Sequence, residues 1–110
     1  MLLDFKSMEE FAVPAMNGGD GQVRANMLVE GWGKVIYSVL EPGCSIGSHE
    51  QATSVDVNYV VSGRGIAVCD GIEEVLAPGT CHICPQGSVH SITNTGNEDL
   101  VLFSVVAERS

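Results

Sequence analysis

From Val23 to Val106 the chain is a succession of short apolar runs with a period of two, each closed by turn residues. V-R-A-N-M-L-V (23–29), K-V-I-Y-S-V-L (34–40), V-N-Y-V-V (57–61) and L-V-L-F-S-V-V (100–106) alternate or run apolar as strands do. Asp70-Gly71 separates G-I-A-V-C from I-E-E-V-L, the strongest short-range signal for a hairpin, so these two segments are expected to pair antiparallel. T-C-H-I-C (80–84) and S-V-H-S-I-T-N (88–94) supply two further strands, bounded by Ala77-Pro78-Gly79 and Pro85-Gln86-Gly87. No stretch after Val23 carries a helical period. Strands with a turn signal every ~8–12 residues predict an all-β sandwich or barrel over 23–107. Residues 1–22 form an N-terminal arm, in which Leu3, Phe5 and Met8 line either a short helix or a strand ending before Pro14.

At 110 residues the chain fits one domain with its own core. Apolar residues make up 45% and charged residues 17%, which points to a packed globule and away from disorder. A net charge of −9 argues against nucleic acid or an anionic membrane surface as partner. No apolar run approaches ~18 residues, so no membrane span is expected. The N-terminus, with an acid after two leucines, does not read as an export signal. Cys44, Cys69, Cys81 and Cys84 are therefore expected as reduced thiols in a cytoplasmic protein. Cys81 and Cys84 spell C-x-x-C, but residues i and i+3 of a strand face opposite sides, which argues against a shared metal or a disulfide.

The chemistry gathers in two segments. The first, Gly43 to Gly63, contains His49, Gln51 and Asp56, each able to offer a lone pair to a metal. His49 and Gln51 share strand parity; Asp56 has the opposite parity, so residues 52–54 must reset the phase. The second, Gly79 to Asn94, contains His82 and His90. His82 either faces the interior, as an acid/base group or extra ligand, or is a structural residue between sheets. Asn58 points the same way as Asp56 and is a candidate contact to substrate or to a ligand-holding side chain. Tyr37, Arg24 and Asn26 are possible cavity-liners whose inward face parity alone leaves open.

Together the two segments resemble the motifs of the cupin superfamily. Gly43, His49, Gln51, Asp56 and Gly63 keep the spacing of the first motif, G-x5-H-x-H-x3–4-E-x6-G, with Gln51 in place of the second histidine and Asp56 in place of the glutamate. Gly79, Pro85, Gly87, His90 and Asn94 match the second, G-x5-P-x-G-x2-H-x3-N, without departure. The resemblance implies a double-stranded β-helix, the cupin jelly-roll barrel, with metal ligands at its mouth and a homodimer that exchanges N-terminal strands.

A divalent metal at His49, Asp56 and His90, with Gln51 as a weaker neutral donor, is the corresponding expectation, since two imidazoles and a carboxylate suit non-haem iron(II). With one histidine replaced, iron or manganese is favoured over later metals, with zinc or nickel as the other options. The chemistry expected of the resemblance is a metal-dependent dioxygenase, isomerase or lyase acting on a small organic metabolite. The alternative is a non-catalytic barrel that binds a small ligand and has weakened or lost its metal. The bland readings of the same residues are an exposed loop His49, a core His90, a turn-capping Asp56 and a polar-wall Gln51.

Overall fold

The computed structural model describes residues 1–109. The strands are β1 (Phe11–Pro14), β2 (Gln22–Glu30), β3 (Gly33–Leu40), β4 (Ser45–Glu50), β5 (Ser54–Ser62), β6 (Gly65–Cys69), β7 (Ile72–Leu76), β8 (Cys81–Cys84), β9 (Val89–Thr93) and β10 (Leu100–Glu108). They form a six-stranded sheet in the order β1-β2-β3-β10-β5-β8 and a four-stranded sheet in the order β4-β9-β6-β7. The strand pairs are antiparallel. Sequence neighbours such as β4 and β5 lie in different sheets, so the chain winds across the barrel as a double-stranded β-helix does.

The Asp70-Gly71 signal produces the β6–β7 hairpin as expected: both residues take positive φ, 48° and 81°, which a two-residue turn with the right twist demands. In the arm, Phe5–Ser7 forms a short 3-10 turn and β1 runs through Pro14 instead of ending before it. Proline is tolerated there because β1 is an edge strand, paired only with β2.

The largest departure from the sequence pattern is β4, because Ser45–Glu50 is strand where the apolar runs marked none. Its pairing with β9 slips between Ile46 and His49, where Gly47 and Ser48 on β4 face Ser91 alone on β9. That extra residue is a β-bulge. A side chain at Gly47 would collide with the backbone of Asn17, so the bulge is also where the loop before β2 presses onto the sheet.

One end of the barrel is filled by Leu40, Val60, Ala67, Leu76, Ile92, Leu100 and Leu102, all at most 2% exposed. Asn94 closes this end by donating from Nδ2 to the carbonyls of Leu40 and Glu98, both at 2.8 Å. The asparagine of the second motif is thus a structural pin. The other end is open and holds the polar side chains.

Candidate functional site

The open end encloses a cavity of about 500 Å³ between the sheets. The inward positions of β5 read Ser54, Asp56, Asn58, Val60, polar at the mouth and apolar at the floor. β10 repeats the order with Val106 and Ser104 above Leu102.

His49 reaches this cavity because of the bulge. Ile46 lines the cavity, and with regular alternation Ser48 would follow it; the extra residue hands that face to His49. The Gly47 carbonyl lies 2.8 Å from His49 Nδ1 and can only accept, so the proton sits on Nδ1 and the Nε2 lone pair faces inward. Gln51 is fixed through its backbone to the turn of the second motif, donating to the Ser88 carbonyl at 2.9 Å and accepting from Gly87 at 2.8 Å. Its Nε2 donates to Ser54 Oγ at 2.8 Å, which leaves Oε1 turned into the site.

His90 is 2% exposed and lies against His49, with Nε2 atoms 3.2 Å apart. Behind it, His90 Nδ1 is 2.9 Å from His82 Nε2, and His82 Nδ1 is 2.7 Å from Glu74 Oε1. The Glu74 carboxylate accepts from His82 Nδ1–H, His82 Nε2 accepts from Nδ1–H of His90, and the lone pair of His90 Nε2 points into the cavity. Burial, with His49 and His82 adding repulsion, pushes His90 down to about 4, so it is neutral near pH 7. The contact between His90 Nε2 and Asp56 Oδ2 at 3.3 Å is therefore not an ion pair. Asp56 is itself raised by burial; a side-chain hydrogen bond from Asn58, His82 and His49 when protonated, and Lys34 pull the other way.

The outer hydrogen bonds leave the inner atoms short of protons. His49 Nε2, His90 Nε2 and Gln51 Oε1 are all acceptors, separated by 3.0, 3.2 and 3.3 Å, and Asp56 Oδ2 adjoins them through His90. Lone pairs brought together this way repel unless a cation lies among them. Donors about 2.1 Å from one ion lie about 3.0 Å apart in an octahedron and about 3.4 Å apart in a tetrahedron, so the spacing fits a divalent metal. Two neutral imidazoles, an amide oxygen and a carboxylate suit a borderline or hard ion. Asp56 sits at the edge of the group, within contact distance of His90 but not of His49 or Gln51 among the described contacts. Its side chain is one methylene shorter than the glutamate of the motif.

Of the other expected site residues, Asn58 does line the cavity. It is 4% exposed, its Oδ1 accepts from Ser104 Oγ at 2.7 Å, and its Nδ2 finds no well-formed hydrogen-bond partner among the described residues. His82 faces between the sheets, 1% exposed, and supports His90 from behind without lining the cavity.

Tyr37 is a correction. The cavity takes Lys34, Ile36 and Ser38 of β3, and parity sends Tyr37 to the outer face, where its ring stacks on Phe5 at 5.5 Å. Arg24 and Asn26 are excluded the same way, because Val23, Ala25 and Met27 take the inward positions of β2. Arg24 instead meets Glu10, and Asn26 binds the carbonyls of Met8 and Glu9.

The sequence reading missed Glu74, Lys34 and Ser104. Glu74 sat in an acidic pair that reads as a solvated face, and only the pairing of sheets places it beside His82. Cys81 is exposed and Cys84 buried, on opposite faces as parity requires, and burial pushes the Cys84 thiol up to about 12.

Residues 36–106, more than half of the chain, match the family model described as a cupin domain. An oxalate-binding protein of Thermotoga maritima is 33% identical over 67 residues, 61% of this chain and 55% of that protein, so the match spans about half of the relative's length. A crystal structure described as a predicted oxalate decarboxylase, also from T. maritima, superposes with a TM-score of 0.93 at 25% identity, covering 98% of this chain and 99% of that one. An uncharacterized conserved protein of Klebsiella pneumoniae with a double-stranded β-helix domain is 30% identical over 76% of this chain and 75% of that one, with a TM-score of 0.71. With both motifs on the barrel and the family model spanning them, this chain belongs to the cupin family.

Proposed function

We propose that this cupin holds one divalent metal, iron or manganese before zinc or nickel, at His49, Gln51 and His90, with Asp56 at the edge, and binds a small carboxylate-bearing metabolite there. The observation that carries the reading is the convergence of acceptor atoms whose protons are all committed to outer partners. A bound ion supplies Lewis acidity, and with iron or manganese also oxygen activation, at positions the protein leaves open. The residues of the chain hold and orient: the bulge aims His49, Ser54 aims Gln51, and His82 aims His90. The names of two relatives, oxalate-binding protein and predicted oxalate decarboxylase, support a carboxylate as ligand and a lyase among the dioxygenase, isomerase and lyase options. The second reading is a binding module without turnover. The marginal position of Asp56 favours it, since neutral donors with the carboxylate at their edge hold a catalytic ion less firmly.

Elemental analysis of protein purified without oxygen or chelator tests the site. The expected result is close to one iron or manganese per chain, lost in His90→Ala. Absence of metal in the wild type, with no uptake of added iron, manganese, zinc or nickel, rules the site out. Turnover of oxalate or a related acid by the loaded protein then separates enzyme from binding module.

A homodimer is the proposed assembly. One row on the outer face of the six-stranded sheet, Tyr37, Phe103 and Tyr59, is apolar, and Tyr59 and Phe103 remain 44% and 37% exposed although Phe5 packs on part of it. Sedimentation as a monomer at micromolar concentration would remove this assignment.

A further inference from the structure

The cavity is far larger than the acid named for the relatives. At about 500 Å³ it lies in the range of pockets that bury ligands of drug size, ~300–1,000 Å³. Oxalate has six heavy atoms, and the cavity would hold roughly fifteen waters at ~30 Å³ each.

Its wall is also divided. Registers across the six-stranded sheet place Asn58, Ser104, Ile36 and Met27 in one row, running from the polar side to the apolar side. The next row inward runs Val60, Leu102, Ser38, Ala25 and Phe11. Of the acceptor cluster only Asp56 lies in this sheet, on β5, with His49 and His90 facing it from β4 and β9 of the other sheet, while the β1–β2 side and β3 carry Phe11, Val13, Ala25, Met27 and Ile36. Between them stands Asn58, whose buried Nδ2 makes no well-formed hydrogen bond among the described residues and faces Asp56 closely enough only to pull that carboxyl down. A buried donor so poorly satisfied beside an open cavity can take a ligand oxygen as its acceptor. Lys34 lines the same wall and supplies a positive charge for an anionic head.

We propose that the physiological ligand is a two-part molecule: a chelating carboxylate head, such as a 2-oxo acid, at the metal, and an apolar tail of several carbons against Ala25, Met27 and Ile36. This rests on the metal reading above and narrows its ligand class from small carboxylate-bearing metabolites to amphiphilic acids. The Asn58 amide donates to a head oxygen, and the tail displaces water from the β1–β2 side.

Calorimetric titration of manganese(II)-loaded protein with oxalate, 2-oxobutanoate, 2-oxohexanoate and 2-oxooctanoate tests it. Each buried methylene is worth about fourfold in affinity, so the series from four to eight carbons is expected to tighten on the order of 100-fold. Ala25→Phe, which fills the apolar half, is expected to flatten the series while oxalate binds as before. If that variant folds poorly, Met27→Gln at the half-buried neighbouring position is expected to lose about tenfold for 2-oxooctanoate alone. Affinity independent of chain length, with oxalate still bound, overturns the two-part ligand and leaves the metal site standing. Failure to take up manganese at all overturns the metal site and this inference with it.

Discussion

The two ends of the barrel are built from the same strands and differ in almost every chemical respect. Moving two residues along β5 exchanges Asn58 for Val60; along β9 it exchanges His90 for Ile92; along β10 it exchanges Ser104 for Leu102. The floor consists of apolar side chains no more than 2% exposed, and its polar member, Asn94, has its amide hydrogens committed to backbone carbonyls. The mouth buries imidazoles and an amide almost as deeply, yet leaves an orphaned donor and a set of facing lone pairs. A folding-only account explains the floor; the facing lone pairs of the mouth are what the proposed metal would satisfy. The contrast assigns stability to one end and function to the other, and mutations can test that division.

The largest effect is expected at the floor. Leu102→Ala removes a fully buried side chain from the main cluster and should lower unfolding stability by about 2–5 kcal/mol. Chemical denaturation measures that loss. Metal affinity of the still-folded variant should stay at the wild-type level. A collapse of affinity in parallel would show that the two ends are mechanically coupled and that the division is wrong.

Next comes the support behind His90. Glu74 accepts from His82, which in turn accepts from His90, so Glu74→Ala should loosen the ring that presents Nε2 to the site. Removing a supporting partner of this kind typically costs 10–100-fold in metal affinity. Because His82 is fully buried, losing its acceptor strands Nδ1–H and should also lower the stability of the metal-free protein, by about 1–3 kcal/mol. Competition with a chelator gives the affinity, and an unchanged value would mean that His82 holds its orientation without the carboxylate.

How much of this division was readable beforehand follows from what each residue depends on. Strand positions, the Asp70-Gly71 hairpin and the opposed faces of Cys81 and Cys84 depend on local period and turn chemistry, and those are written in the sequence. His49, Gln51, Asp56, Asn58 and His90 were legible as one group through motif spacing, and they do converge on the cavity. Tyr37 was misplaced because parity gives two faces without saying which is inside. The bulge that aims His49 could have been suspected from Gly47 within a strand-length segment, yet its serines and glycines read more simply as a loop. Glu74 had no local signal at all. Its role arises from β7 of one sheet meeting β8 of the other, a long-range consequence of winding.

A smaller effect should appear at Asn58 and carry the opposite sign for stability and for function. Replacing both partners of the Asn58–Ser104 hydrogen bond, in Asn58→Leu with Ser104→Ala, removes a buried orphan without stranding the hydroxyl. Such a change is close to neutral or stabilises by about 1 kcal/mol. Oxalate binding to the metal-loaded double variant should weaken, because the head loses its donor. A variant that is less stable and binds oxalate normally would place Asn58 with the floor, as a packing residue.

The smallest effect is expected from pH on the metal-free protein, because two buried groups at the mouth work against each other. His90 is held at about 4, against 6.5 for an ordinary histidine, by burial and by the neighbouring His49 and His82. As pH falls through that window the unfolded chain takes up a proton that the folded chain refuses, so the contribution of His90 to stability declines. Asp56 is shifted the other way: burial raises it above 3.8, so the folded chain takes its proton first, and stability rises as pH falls through the raised range toward 3.8. Where the windows overlap the slopes oppose, so the wild-type denaturation midpoint should fall less on acidification toward pH 4 than the His90 shift alone dictates. Asp56→Asn removes one arm of the pair and should uncover a steeper loss of stability on acidification. Parallel profiles for variant and wild type would mean that Asp56 is solvated in the metal-free protein, and the mouth would then differ less from an ordinary polar surface than its burial indicates.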